Sequence, residues 1–135
     1  MGALRAAAAE IDLQPKPSCY LTGFGGRPGP STGQHDPIIA HAVLLDDGQT
    51  ALLVIACDLL GLHVETVAEV RLRIAGRTSI PYDNILICCT HTHSGPATSP
   101  CRDSLGYIDH EWLDRMKTRI VELAAGLPAE LQAFS

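Results

Sequence analysis

The sequence has few aromatic residues, no cluster of basic residues and no long apolar run. Aromatic side chains make up 4% of the 135 residues, so the core has to be built from Ala, Val, Ile and Leu. No Lys or Arg has a basic neighbour and the formal net charge is -5, which argues against nucleic acid as a partner. No apolar stretch approaches the roughly 20 residues that span a bilayer, so no transmembrane segment is expected.

The five cysteines lack the CxxC spacing of a zinc knuckle, and their odd number argues against a disulfide framework. Cys57, Cys88 and Cys89 lie in apolar runs and are predicted to be small core residues. Cys19 and Cys101 lie in loop-like sequence, where no basic neighbour favours a reactive thiolate.

The Ala-rich opening of the chain is interrupted by Glu10 and Asp12. An export signal needs a longer uninterrupted apolar region. We therefore interpret the opening as the first strand of the fold, and we expect a cytoplasmic location by default.

The apolar pattern predicts strands that alternate with helices. Residues 38–45 and 50–60 are apolar runs separated by a DDGQ turn, the pattern of a β-hairpin. A further strand is predicted from Asn84 to Thr90. Helical spacing marks two segments, the first with Val64, Val67, Val70 and Ile74, the second with Leu113, Met116, Ile120, Leu123 and Leu127.

These elements predict an α/β fold, a layered mixed β-sheet covered by helices. The run from Ala51 to Cys57 is apolar on both faces, which predicts that the sheet is covered on both sides. The last residues begin another strand, and a finished sheet of this type would need more strands. Residues 1–135 are therefore predicted to be an incomplete amino-terminal part of a larger catalytic domain, or to need another chain at the open edge.

A Gly- and Pro-rich loop extends from Gly23 to Pro37. Loops of this length inside a compact domain are usually functional, and we predict that Arg27 or His35 reaches a substrate cleft. The alternative is a plain surface loop, in which Asp36 before Pro37 serves only as turn chemistry.

Two histidines, His91 and His93, follow the predicted strand at Asn84 to Thr90. Side chains two residues apart on an extended chain point to the same side, so one metal ion can meet both imidazoles. The carboxyl ends of strands are also where open α/β sheets bind ligands. A simpler alternative is that these histidines only form hydrogen bonds with loop carbonyls. Asp58, which ends the previous strand, could orient a metal-bound histidine. The alternative for Asp58 is a turn or capping residue.

The order of motifs along almost the whole chain resembles the amino-terminal region of the neutral (alkaline, nonlysosomal) ceramidase family. The most specific of the shared motifs is the last in this series: AEIDLQP, GFGGR, HDPIIAHAVLLDDG, CDLLGL and THTHSGP. The resemblance implies a zinc-dependent amide hydrolase in which His91 ligates zinc and His93 positions the scissile amide or its oxyanion. It also implies a later His, Glu and Tyr, which these 135 residues do not supply.

The resemblance implies a lipid amide as substrate, but the segment SGPATSP has fewer glycines than the family, which leaves other small amides open. Two further interpretations stand beside it. One is a barrel-type metal-dependent amidohydrolase, disfavoured because the histidine pair follows several elements rather than the first strand. The other is a noncatalytic or assembly domain completed by another chain.

Overall fold

A mixed five-stranded sheet forms the framework of the chain. The computed structural model describes residues 3–99 and 107–133. Its strands and helices are β1 (Arg5–Asp12), β2 (Ile39–Asp46), β3 (Ala51–Cys57), α1 (Val64–Ala75), β4 (Ile85–Cys89), α2 (His110–Gly126) and β5 (Gln132–Ala133), with short 3-10 turns at Tyr82–Asn84 and Leu127–Glu130.

The strand order is β4-β3-β2-β1-β5. β3 and β4 are parallel and are connected through α1, whereas the β5–β1, β1–β2 and β2–β3 pairs are antiparallel. The predicted hairpin is confirmed, because the carboxylates of Asp46 and Asp47 accept bonds from the turn amides and Gly48 takes a φ of 85°. The predicted α/β fold with a mixed sheet is therefore confirmed.

Both helices pack against the same face of this sheet. Their buried residues form one cluster with the alternate strand residues that include Leu44, Leu53 and Ile55. Each helix begins at a side-chain cap, since His63 accepts a bond from the amide of Glu65 and Asp109 accepts one from that of Trp112. No helix in the described ranges is long and apolar enough to cross a membrane.

Trp112 joins α2 to the chain that leaves β1. Its side chain is 2% exposed, and its indole Nε1 donates to the carbonyl of Leu13 at 2.7 Å. A buried indole nitrogen needs such an acceptor. The contact fixes the start of the segment that continues into the glycine-rich loop.

The prediction that the sheet is covered on both faces is wrong for the described residues. The face away from the helices is here called the open face. Its side chains alternate with the core residues in the strand register, and besides the polar pair Glu10 and His41 they include Ala6, Ala8, Val43, Leu45, Leu52, Val54, Ala56, Leu86 and Cys88. Leu52 is 41% exposed and Leu86 is 55% exposed, and no described element packs over them. An apolar sequence pattern reports that a face avoids water, but not which element covers it.

The same alternation separates the three strand cysteines. Cys57 is fully buried, and burial raises the pKa of its thiol to about 12. Cys89 is half-buried on the same side, whereas Cys88 is exposed on the open face. The prediction of a core position is therefore confirmed for Cys57 and wrong for Cys88, while Cys101 lies outside the described residues.

Adjacent leucines on β3 test this division of the sheet. Leu53→Ala should lower the free energy of unfolding by about 2 to 5 kcal/mol because it opens a cavity in the core, whereas Leu52→Ala should cost less than about 1 kcal/mol. Urea unfolding of both variants gives the comparison. Equal losses would show that Leu52 is covered.

Candidate functional site

The candidate site lies where β3 and β4 end. Beyond the sheet the two chains stay bonded, because Thr90 donates its amide to the carbonyl of Cys57 and His91 donates its amide to that of Leu59, both at 3.0 Å. The predicted position of the histidine pair at the carboxyl end of the strand beside Ala51–Cys57 is confirmed. The strand itself is half-buried, because β4 is the outermost strand of the described sheet.

His91 has an unusual backbone and a fixed side chain. Its φ is 64°, a left-handed conformation that residues other than glycine rarely take. Its Nδ1 lies 2.7 Å from the carbonyl oxygen of Leu60. A carbonyl oxygen can only accept, so Nδ1 carries a proton, and in the neutral imidazole the lone pair is on Nε2.

The extended geometry expected for the histidine pair is not what brings the two rings together. The left-handed turn at His91 breaks the alternation of an extended chain. The rings of His91 and His93 nevertheless lie with their centroids 5.3 Å apart and their planes at 76°. This separation suits two imidazoles that face one small ligand.

His93 is held by the glycine-rich loop. Gly23 has a φ of 97° and lies so close that a Cβ on it would be 2.6 Å from Cγ and 2.7 Å from Nδ1 of His93. The ring of Phe24 packs edge-on against the imidazole, with 4.9 Å between centroids. Nδ1 of His93 is buried and has no hydrogen-bond partner among the described residues.

Arg27 also contacts His93, through the backbone. Its Nη2 donates to the carbonyl of His93 at 2.7 Å, and its guanidinium lies 5.2 Å from the centre of the Phe24 ring. The loop residues Gly23, Phe24 and Arg27 therefore pack against His93. The predicted substrate-binding role of Arg27 stays a prediction.

His35 lies in a groove whose lining includes neither His91 nor His93. It is exposed and pairs with the carboxylate of Asp36 at 2.9 Å, which raises the pKa of its imidazole. The groove has a volume of about 770 Å³, and its walls include His35, Asp36, Asp58, Thr92 and Ser94. His35 therefore shares a groove with Thr92 and Ser94, the neighbours of His93 in the chain, but not with either histidine of the pair.

Asp58 acts as a strand-end cap. Its Oδ2 accepts a bond from the amide of Ile39 at 3.3 Å, and the Leu60 carbonyl is the group that orients His91. Within residues 3–99 and 107–133, no group of three or more His, Cys, Asp or Glu side chains is placed to hold a metal ion. A complete metal site would need ligands beyond those the described residues bring together.

The sequence did not single out Gly23 or Phe24, although both contact His93. Gly23 is one of several glycines in its loop, and nothing local distinguishes it from Gly25, which has open space where its Cβ would be. The only local signal was the GFGG cluster itself. At Gly95, within the THTHSGP segment, a Cβ would lie 3.3 Å from the carbonyl oxygen of Asp58, a tight contact but a milder one.

The left-handed backbone at His91 can be tested by stability. His91→Gly and His91→Ala both remove the bond to Leu60, but the glycine variant should be more stable by about 1 kcal/mol because it relieves the strain at positive φ. At Leu72, an exposed position within α1, the order should reverse by a similar amount. Thermal unfolding of the four variants measures both differences. The same order at both positions would contradict the backbone assigned to His91.

The fold is similar to that of solved ceramidases. No family model matches the sequence, and no curated protein matches it. The structure of neutral ceramidase from Pseudomonas aeruginosa superposes with a TM-score of 0.84 and 20% identity, over 98% of this chain and 22% of that chain. A ceramidase structure described as complexed with C2 superposes with a TM-score of 0.79 at the same identity and coverage. The chain thus has a ceramidase-like fold and spans about a fifth of the length of the solved chains that it matches.

Proposed function

We propose that this chain is the part of a zinc-dependent amide hydrolase, resembling neutral ceramidase, that provides one metal ligand and one histidine directed at the reacting amide. The observation that carries the proposal is the bond between Nδ1 of His91 and the Leu60 carbonyl, 2.7 Å long. It is supported by a fold similar to that of solved ceramidases.

His91 fits the role of a zinc ligand. Histidine binds zinc as a neutral imidazole, and ligating histidines almost always donate their other ring N–H to a carbonyl or carboxylate. The Leu60 carbonyl takes that place here. The exposed position of the imidazole leaves Nε2 able to meet an ion together with ligands from elsewhere.

His93 fits a different role. Its Nδ1 is buried against Gly23, so only Nε2 is available to a ligand or substrate. Held with its ring centroid 5.3 Å from that of His91, it can donate a hydrogen bond to an amide oxygen as negative charge develops on it. Donors fixed in advance in this way contribute strongly to hydrolysis because they need no reorganisation.

Bound at His91, zinc would supply Lewis-acid activation of water and of the amide carbonyl. The missing ligands would come from a carboxyl-terminal part or from another chain, as the resemblance implies a later His, Glu and Tyr. The exposed leucines of the open face are consistent with a second polypeptide segment that completes the domain.

The substrate we propose is a lipid amide or another small amide. The groove beside Thr92 and Ser94 combines apolar walls such as Leu21 and Ile38 with hydroxyl, imidazole and carboxyl groups. Such a mixture suits an amphipathic molecule. Arg27 and His35 remain proposed substrate-binding residues.

A noncatalytic assembly domain is the second candidate, and the open face is the observation that favours it. A domain of this kind would need its partner but would not need the tautomer that prepares His91 for a metal. The barrel-type amidohydrolase stays disfavoured, because β1, β2 and β3 of the described residues pair antiparallel, whereas the strands of such a barrel are parallel.

Zinc titration of the chain separates the two histidines. We expect Zn²⁺ to shift the imidazole NMR signals of His91, and His91→Ala to abolish zinc binding. His93→Ala should keep most of it. His110→Ala removes an exposed histidine at the start of α2 and serves as the control. Zinc binding that leaves the His91 signals unshifted would overturn the ligand role, absence of binding to this chain would support the incomplete site, and equal zinc loss in both site variants would make both histidines ligands.

In a polypeptide that also carries the later ligands, the two variants should differ in catalysis. His91→Ala should lose zinc and amide hydrolysis together, whereas His93→Ala should lose about 10² to 10³ in kcat with zinc retained, the effect of removing one oxyanion donor. On the 135-residue chain alone we expect little or no ceramidase activity. Turnover by the chain alone would refute the incomplete site, and unchanged hydrolysis in both variants would remove the catalytic role.

A further inference from the structure

We propose that Gly23, Phe24 and Arg27 form a brace that fixes the ring of His93 in one orientation and one tautomer, with the proton on Nε2. The importance of this brace for hydrolysis rests on the function proposed above, but its existence does not. It assigns Arg27 as a positioning residue that acts through His93.

The first part of the brace is steric. The backbone of Gly23 lies against Cβ, Cγ and Nδ1 of His93, with only 2.6 to 2.9 Å between these atoms and the place of a Cβ on residue 23. Real Cβ atoms do not approach other atoms so closely. The φ of 97° at this position also disfavours any side chain. Only glycine lets the loop close on the imidazole.

The second part consists of Phe24 and Arg27. The Phe24 ring meets the imidazole edge-on at an interplanar angle of 61°, a favoured aromatic arrangement. Arg27 bonds to the carbonyl of His93 and stacks its guanidinium on the same Phe24 ring. Backbone and side chain of His93 are thus fixed by one loop that is about 66 residues away in sequence.

The tautomer of His93 follows from the surroundings of its Nδ1. This nitrogen is buried and has no hydrogen-bond partner among the described residues. A buried N–H without an acceptor is rarer than an acceptor without a donor, so the proton is better placed on Nε2. The two histidines of the site therefore have opposite tautomers, because the Leu60 carbonyl fixes the proton of His91 on Nδ1.

Opposite tautomers give the two neighbouring rings different chemistry. Nε2 of His91 is a lone pair, whereas Nε2 of His93 is a hydrogen-bond donor. Two neighbouring imidazoles would otherwise be interchangeable. The brace makes them distinct before any metal or substrate arrives, which saves the free energy of arranging them during the reaction.

The test is a long-range proton–nitrogen NMR spectrum of the ¹⁵N-histidine-labelled chain, recorded without metal at about pH 9, where imidazoles with ordinary pKa values are neutral. We expect His91 to carry its proton on Nδ1 and His93 to carry its proton on Nε2. A His93 that carries its proton on Nδ1, or that shows a mixture of tautomers, would overturn the proposal.

Matched variants test each part of the brace. Gly23→Ala should shift the His93 ring signals and mix its tautomers, whereas Gly25→Ala, which has open space around its Cβ position, should change neither. Arg27→Ala should act in the same direction as Gly23→Ala, with Arg27→Lys partly restoring the signals because it keeps one donor for the carbonyl of His93. Arg77→Ala, at an exposed arginine after α1, is the control.

These readouts do not depend on zinc or turnover. If Gly23→Ala fails to fold, as judged from the amide signals of the sheet, the arginine variants still decide the question. Unchanged His93 signals in Arg27→Ala would refute the brace even if His91 binds zinc. Conversely, an intact brace together with full zinc retention by His91→Ala in the polypeptide that carries the later ligands would refute the proposed function alone.

Discussion

The candidate site depends on three carbonyl oxygens at the end of β3. Those of Cys57, Leu59 and Leu60 accept bonds from the amide of Thr90 and from the amide and imidazole of His91. The parallel pairing of β3 and β4 is thereby extended beyond the last ladder residues. To keep all three bonds the chain turns through a left-handed conformation at His91, and this turn directs the following residues towards the glycine-rich loop.

Local signals in the sequence were enough for the secondary structure and for the place of the site. The hairpin, both helices and the strand before His91 each have a periodic pattern or a turn residue inside a short window. The contacts that shape the site have no such pattern. Arg27 meets His93, and Gly23 closes on the same ring, through a fold that joins distant loops. No spacing rule distinguishes Gly23 from the other glycines nearby.

The covering of the sheet shows another limit of sequence interpretation. Leu52 and Leu53 are neighbours of the same residue type, but one is 41% exposed and the other is fully buried. The pattern correctly predicted that neither face of β3 would be polar. The apolar pattern of a strand does not say which segment covers its second face. The chain matches about a fifth of a solved ceramidase chain, which is consistent with a covering layer formed by another segment. Under the proposed function, the same division would place one zinc ligand on this chain and the others on the segment that completes the domain.

The bond between Trp112 and the carbonyl of Leu13 gives the chain an optical reporter. Trp112 is the only tryptophan in the sequence, and the residues directly after Leu13, beginning with Gln14 and Pro15, form one wall of the groove beside Ser94. A displacement of that wall would alter the length or angle of the indole bond and hence the environment of the chromophore. The intrinsic fluorescence of the unlabelled chain can therefore follow the filling of the groove, with no background from a second indole.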